Sequence, residues 1–446
     1  MTMAWASSEN DSPMNNIQVF EGDRLETETP AFPEKGTRCR FLGHDFSGGA
    51  CMVPLSDELF SSHLLFLGGI GTGKTNAIFQ LLTQIKGSMT NHDVMVIFDT
   101  KGDYCREFYR TGDIVISNDL KATGPTGEDY WNIFREIGMG ESVEANIVEI
   151  AKTLFRERAE KTSQPFFPNA AKDLFCAILT HFARSGDAEK MDNARLRTFL
   201  DQSSTSELRA MLQSHPDMKA MVSYIADDRS PQTQGVLSEL QQMVREVFIG
   251  NFRKQGTISV RDSIRSKGGH CIFIEYDLGI GNLLTPIYRL LLDLAIKESL
   301  CREKSEGNVW FVIDEFRLLP NLQHMDSGVN FGRSLGAKFI IGAQNIDQIF
   351  YGYGESLARS ILSGFMTTVA FRVNDANTRE FIKGLFGKNR KREAYMASVQ
   401  TRGIVENVRD ANVVEDWDIT NLQTGQAILG IPRSMPFLFQ FDKHKP

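Results

Sequence analysis

LLFLGGIGTGKT, residues Leu64–Thr75, reads as an apolar strand entering a phosphate-binding loop. Gly68 and Gly73-Lys74-Thr75 satisfy the G-x-x-x-x-G-K-[ST] spacing, directly before the helical pattern Ala77–Ile85. Gly68, Gly69, Gly71 and Gly73, with Thr72 among them, let successive backbone N–H groups turn inward around phosphates, a geometry that a Cβ obstructs. The positive end of the following helix reinforces such an anion site. Lys74 is placed to reach the β/γ-phosphates, and the Thr75 hydroxyl is a natural Mg2+ ligand. A glycine-rich turn with an exposed lysine is the plainer reading, but it leaves the flanking strand unexplained. ATP and Mg2+ are therefore the expected cofactors.

The 446 residues suffice for two or three domains with a substantial core. A hydrophobic content of 41% and a charged content of 24% describe an ordinary globular chain. The net charge of −7 argues against a uniformly basic nucleic-acid coat but leaves room for a local basic channel. Cys39, Cys51, Cys105, Cys176, Cys271 and Cys301 show neither a C-x-x-C pair nor metal-ligand spacing, so they read as reduced thiols. The longest apolar run, Leu283–Ile296, is interrupted by Arg289 and Asp293 and reads as a core helix rather than a membrane span. The first residues carry Glu9 and Asp11 with no apolar stretch behind them, unlike a signal peptide. A cytoplasmic chain that does not itself insert into a membrane is expected.

Residues 1–36 are polar and mixed and are expected to form a flexible tail. Behind the phosphate loop, DVMVIFD (Asp93–Asp99) and DIVIS (Asp113–Ser117) are buried-strand patterns, a rhythm that implies a parallel sheet flanked by helices. From 131 to 254 the periodicity turns helical. Ile147, Ile150, Ala151 and Leu154 mark one face, and Ala171, Leu174, Phe175, Ile178 and Leu179 another. Strand patterns return at GHCIFIEY (Gly269–Tyr276), NVWFVIDE (Asn308–Glu315), KFIIG (Lys338–Gly342) and TTVAFRV (Thr367–Val373), with a closing hairpin over 425–441. The expected organisation is a nucleotide domain over 37–130 and 255–446, interrupted by an all-α domain over 131–254.

NVWFVIDE ends in the acids that a phosphate loop needs as partners. Asp314 can hold Mg2+, and Glu315 can orient and deprotonate an attacking water. Gln344, just past KFIIGA, could sense the γ-phosphate or that water; a strand-end hydrogen bond is the plainer alternative. Arg333, in the helical stretch FGRSLG, could stabilise transition-state charge in a neighbouring subunit, or be a surface arginine.

Together these residues resemble the conjugative coupling proteins, the TraG/TraD-type ATPases of type IV secretion within the FtsK/HerA superfamily. The resemblance runs from about Phe41 to Phe441, through LFLGGIGTGKT, FDTKGDY, WNIF, PFFPNAAKDLFCAIL, ISVRDSI, CIFIEYD, FVIDEF, IGAQNIDQI and FRVNDANTREFIKGLFG. It implies an α/β fold: a RecA-like P-loop nucleotide-binding domain with a central, mostly parallel sheet, plus the inserted all-α domain. Lys74 and Thr75 would match the family's phosphate and Mg2+ residues, and Asp314 and Glu315 its metal-side acid and catalytic base. Gln344 would match its glutamine sensor, and Arg333 the trans-acting arginine of a homohexameric ring. For Asp99-Thr100-Lys101-Gly102 no chemical role follows. Such proteins usually begin with a membrane-anchoring helical hairpin, which this sequence does not show. A form recruited by a membrane-associated secretion partner, a form whose anchor was removed, and a chain with another DNA-handling task all fit.

The implied activity is ATP hydrolysis coupled to delivery of DNA, or of relaxase–DNA nucleoprotein, to a secretion channel. A soluble translocase in defence or mobile-element maintenance and an ATP-binding cargo adaptor are the alternatives. Sequence-independent DNA handling needs Lys/Arg contacts to phosphates. The candidates are Lys388, Arg390, Lys391 and Arg392 in GKNRKRE, although a charged run of this kind is more often a solvated loop. The all-α domain is the expected docking element for a relaxase or other cargo. The strand form of the DNA stays open.

Overall fold

Leu64–Leu67 forms a strand whose four residues are all buried, as an uninterrupted apolar run requires when both faces are covered. The computed structural model describes residues 17–118, 129–187, 190–301, 307–396 and 404–445, and its contacts divide the chain into two compact units. The phosphate-loop strand belongs to the first, which takes in 17–85, 342–350 and 365–445 of the described residues. There Leu64–Leu67 pairs in parallel with Thr367–Phe371. The ladder continues antiparallel through Gln426–Gly430, Phe437–Phe441, Thr37–His44 and Ala50–Ser56. Aromatic rings lock it: Phe41 stands edge-on to Phe66 (6.3 Å) and Phe441 (5.1 Å), and Phe371 stacks on Phe441 at 5.5 Å. Each such pair adds roughly 0.5–1.5 kcal/mol beyond its buried area.

Two expectations change in this unit. A flexible tail is expected over 1–36; residues 1–16 lie outside the described residues, and 17–36 are held in place. Ile17–Glu21 is a strand on Lys388–Met396, which also pairs with Ile404–Asn412, both antiparallel. Glu26 exchanges backbone bonds with the hairpin, donating to the Pro436 carbonyl and accepting from the Leu438 N–H, each at 2.9 Å. Backbone pairing needs no apolar run, so polar composition conceals it. GKNRKRE is likewise not a solvated loop, since its basic residues lie on the middle strand of a three-stranded ladder.

The second unit takes in Lys86–Ile341 and Tyr351–Gly364. Ile114–Ile116, Cys271–Glu275, Val94–Asp99, Val309–Ile313 and Ala337–Ala343 lie in that order, every neighbouring pair parallel. Phe98 is level with Ile313 and Asp99 with Glu275, so the acids Asp99, Glu275 and Asp314 gather at one carboxyl edge. Ligands of open α/β sheets collect at that edge.

The same unit contains the helical stretch. Its helices include Val143–Lys161, Phe166–Arg184, Asn193–Gln202, Thr205–Ser214 and Pro231–Val247. Both apolar faces read from the periodicity are buried. Ser204 and Glu207 form a capping box, and Pro231 opens its helix behind Ser230, each a local start signal. The compact units divide the chain at other points than the ranges 37–130, 255–446 and 131–254. The helical stretch stays with the sheet beside it because its neck is tight. Asn132 N–H donates to the Ile258 carbonyl and Ile258 N–H to the Tyr130 carbonyl, each at 3.0 Å. Buried Glu136 accepts from Trp131 Nε1 (2.9 Å), Ser259 Oγ (3.0 Å) and the N–H groups of Val260 (2.6 Å) and Arg261 (3.2 Å). WNIF therefore zips the entry of the helical stretch to its exit. Among the described residues no helix is long and apolar enough to cross a membrane.

Candidate functional site

In the first unit, Gly68–Thr75 links the buried strand to the helix Lys74–Ser88. Gly71 (φ +71°) and Gly73 (φ +115°) take left-handed backbone that side chains rarely adopt. A Cβ on Gly73 would also lie 3.1 Å from the Gly425 backbone. The loop is braced on three sides. Gly68 N–H donates to the Ala343 carbonyl (3.1 Å), Gly69 N–H to that of Arg372 (2.9 Å), and Gly425 N–H to that of Thr72 (2.8 Å). Lys74 is buried, and its Nζ donates to the carbonyls of Gly68 (2.6 Å) and Gly69 (2.9 Å). The ammonium thus sits inside the loop's own curve. Thr72 Oγ1 donates to the Gly69 carbonyl at 2.9 Å, and Thr75 is half-buried in the first helical turn. Gln344 directly follows Ala343, so this unit brings it together with the loop. Asn345 caps the helix behind it, accepting from Asp347 N–H at 2.7 Å.

In the second unit, Asp314 follows the buried strand Val309–Ile313 and accepts a hydrogen bond from Tyr104 Oη at 2.9 Å. Burial, reinforced by the Asp314 charge, pushes the Tyr104 phenol well above its ordinary range, so it stays a donor. Asp99, also buried, accepts from the N–H groups of Lys101 (3.2 Å) and Cys105 (2.8 Å); burial raises its carboxyl despite them. Glu315 accepts from Arg317 Nε at 2.8 Å, its side chain 15% exposed against 45% for the arginine.

The segment behind Glu315 is tied to the helical stretch through side chains. Arg156 donates to the Asn321 carbonyl (3.0 Å), and Gln323 to Thr153 Oγ1 (2.9 Å). Asp293, in the helix Gly281–Leu300, accepts from the His324 N–H at 3.1 Å. His324 Nε2 lies 3.0 Å from Glu149 Oε1, and Lys297 Nζ (2.6 Å) and Arg261 (2.9 Å) bond Glu149 Oε2. Burial works to raise the Glu149 carboxyl, but the bonds from His324 and Lys297 and the nearby cations outweigh it and hold it at about 2.

The structure therefore groups the sequence-derived residues by unit. Gly68, Gly69, Gly71, Thr72, Gly73, Lys74, Thr75 and Gln344 lie in the first, and Asp314, Glu315 and Arg333 in the second. Arg333 sits in the short turn Gly332–Leu335, exposed, and among the described residues it forms no ion pair. The basic run is more compensated than its sequence suggests. Lys391 turns inward to Glu415, with side chains 15% and 12% exposed. Arg390 is exposed and pairs loosely with Glu21 and Asp410, each at 3.5 Å. Arg392 lies over the Phe20 ring at 5.0 Å, an arginine–aromatic contact assembled from strands far apart in the chain. Tyr104 and Arg317 escape a reading of the sequence. FDTKGDY marks the first as part of a recurring stretch without a role, and nothing marks the second.

A glycine-built loop enclosing a lysine fits a nucleotide's phosphates; in the first unit the Thr75 hydroxyl, and in the second the Asp314 carboxylate, is each a hard oxygen donor of the kind that suits Mg2+.

Comparison with known proteins adds the family. A family model described as the type IV secretion-system coupling protein DNA-binding domain matches residues 49–439. Coupling protein TraD of Escherichia coli K12 is 23% identical over 350 residues, covering 77% of this chain and 46% of TraD. The chain thus spans about half the length of the curated relatives it matches. Among solved structures, plasmid coupling protein TrwB with the ATP analogue ADPNP superposes with a TM-score of 0.71 at 19% identity, covering 96% of this chain and 95% of that one. TrwB with ADP and Mg2+ gives 0.68 at 20% identity, covering 88% of each. These likenesses show the fold: α/β, of the RecA-like P-loop type, with a mostly parallel sheet and a helical part.

Proposed function

The chain belongs to the type IV secretion-system coupling protein DNA-binding domain family, and from that membership we propose that it is an ATP-hydrolysing DNA-translocating coupling protein. It would recruit DNA, or relaxase–DNA nucleoprotein, and deliver it to a type IV secretion channel. The observation that carries this reading is the glycine-built loop curled around the Lys74 ammonium. The nucleotides named in the TrwB structures support ATP with Mg2+ as the ligand of that loop.

Bound ATP with Mg2+ supplies the phosphoryl bond to be broken and neutralises its charge. Lys74 would exchange its loop carbonyls for phosphate oxygens. Thr75 and Asp314 would hold the metal, Glu315 would take the proton of the attacking water once Arg317 releases it, and Gln344 would orient that water. Arg333, exposed and without an ion pair among the described residues, is suited to act on a neighbouring subunit of a homohexamer. For DNA, alternation along Lys388–Met396 puts Lys388, Arg390 and Arg392 on one face, where phosphates can compete with loose, exposed ion pairs. Lys391, turned toward Glu415, is the weakest of the four candidates. The helical stretch would meet protein cargo.

Steady-state ATP hydrolysis with and without single- and double-stranded DNA, with oligomer size followed in the same samples, tests this reading. Stimulation by DNA accompanied by ring assembly is expected. ATP binding with no response to either form of DNA would replace the motor with a cargo adaptor.

A further inference from the structure

We infer that Tyr104 is a positioning residue for the Asp314 carboxylate, and that the turn Asp99–Tyr104 is the device that holds it there. The inference rests on the reading of Asp314 as the Mg2+-side acid. The two residues are 210 positions apart, yet the phenol donates to Asp314 Oδ2 at 2.9 Å. The Tyr104 residue is 3% exposed, so packing fixes the direction of its hydroxyl.

The turn around it is built for the purpose. Asp99 ends a strand that lies beside Val309–Ile313, with Phe98 level with Ile313. Its carboxylate gathers the N–H groups of Lys101 and Cys105, which folds the chain back at once and starts the helix Asp103–Phe108 with Tyr104 in its first turn. Gly102, at φ +71°, supplies the left-handed step that this reversal needs. The Asp99 carbonyl accepts from Tyr276 N–H at 2.8 Å and ties the turn to the neighbouring strand. FDTKGDY thus acquires a role that its spacing alone does not disclose: Asp99 shapes the turn, Gly102 permits it, and Tyr104 sets the rotation of the acid. A hydrogen bond to a metal-binding carboxylate orients it, and losing such a partner typically costs about 10–100-fold in metal affinity.

Tyr104→Phe removes the hydroxyl and keeps the ring. Mn2+ binding to the full chain, read by electron paramagnetic resonance with a non-hydrolysable ATP analogue present, should weaken about 10-fold. Metal-free binding of the analogue and the melting temperature should stay near the parent values. Unchanged Mn2+ affinity overturns the inference, as does a loss matched by equal loss of metal-free nucleotide binding. If Tyr104→Phe does not fold, Asp99→Asn gives the same reading through the turn, and unchanged Mn2+ affinity there is equally fatal. Asp314→Asn separates the two layers: if it binds Mn2+ like the parent, Asp314 is not the metal-side acid, and the reading beneath fails together with the tyrosine's role.

Discussion

At the phosphate loop, Lys74 and Thr72 bond backbone carbonyls a few residues back, whereas at Asp314 and at Glu149 side chains from distant segments meet. Lys74 reaches back six and five residues, and Thr72 three. Tyr104 reaches Asp314 across 210 positions, and His324 meets Glu149 across 175. The curl of such a loop is legible in glycine spacing within a dozen residues, although Ala343, Arg372 and Gly425 brace it. A site of the second kind exists only after the strands and the helical stretch have packed. The difference also separates what each can report. The loop is proposed to hold the nucleotide, while the segment behind Glu315 is tied to the helices proposed to meet cargo.

The largest expected effect falls on the local side of this comparison. Lys74→Ala leaves the loop backbone intact but removes the ammonium at its centre, and ATP turnover should fall to background in a steady-state assay. A variant that hydrolyses ATP at the parent rate would break the assignment of the loop.

The smaller effect falls on the long-range side and depends on pH. Glu149 is held at about 2, below its ordinary value of 4.5. Its contribution is therefore fully present above about pH 5 and is lost as pH falls toward 2, and is worth on the order of 3 kcal/mol. Glu149→Gln should lower the urea midpoint at neutral pH and flatten its decline between about pH 5 and 3. A decline as steep as the parent's would remove Glu149 from the account.

The same contrast explains what the sequence discloses. LLFLGGIGTGKT, NVWFVIDE and the two apolar helix faces are periodic or locally patterned, and each forms the element expected of it. Ile17–Glu21 is hidden because a strand paired through its backbone needs no apolar signature. The charges of Lys391 and Arg390 cannot be judged from GKNRKRE, since their partners Glu415, Glu21 and Asp410 come from other segments. Tyr104 stands in a recognisable stretch, but its partner does not show, because no local spacing connects positions 104 and 314.

The most direct test of an ATPase built from a binding loop and a separate base is Glu315→Gln, comparing nucleotide affinity with single-turnover hydrolysis. ATP binding should stay close to the parent while hydrolysis slows by roughly 100-fold or more. Hydrolysis at the parent rate, with binding intact, would contradict it.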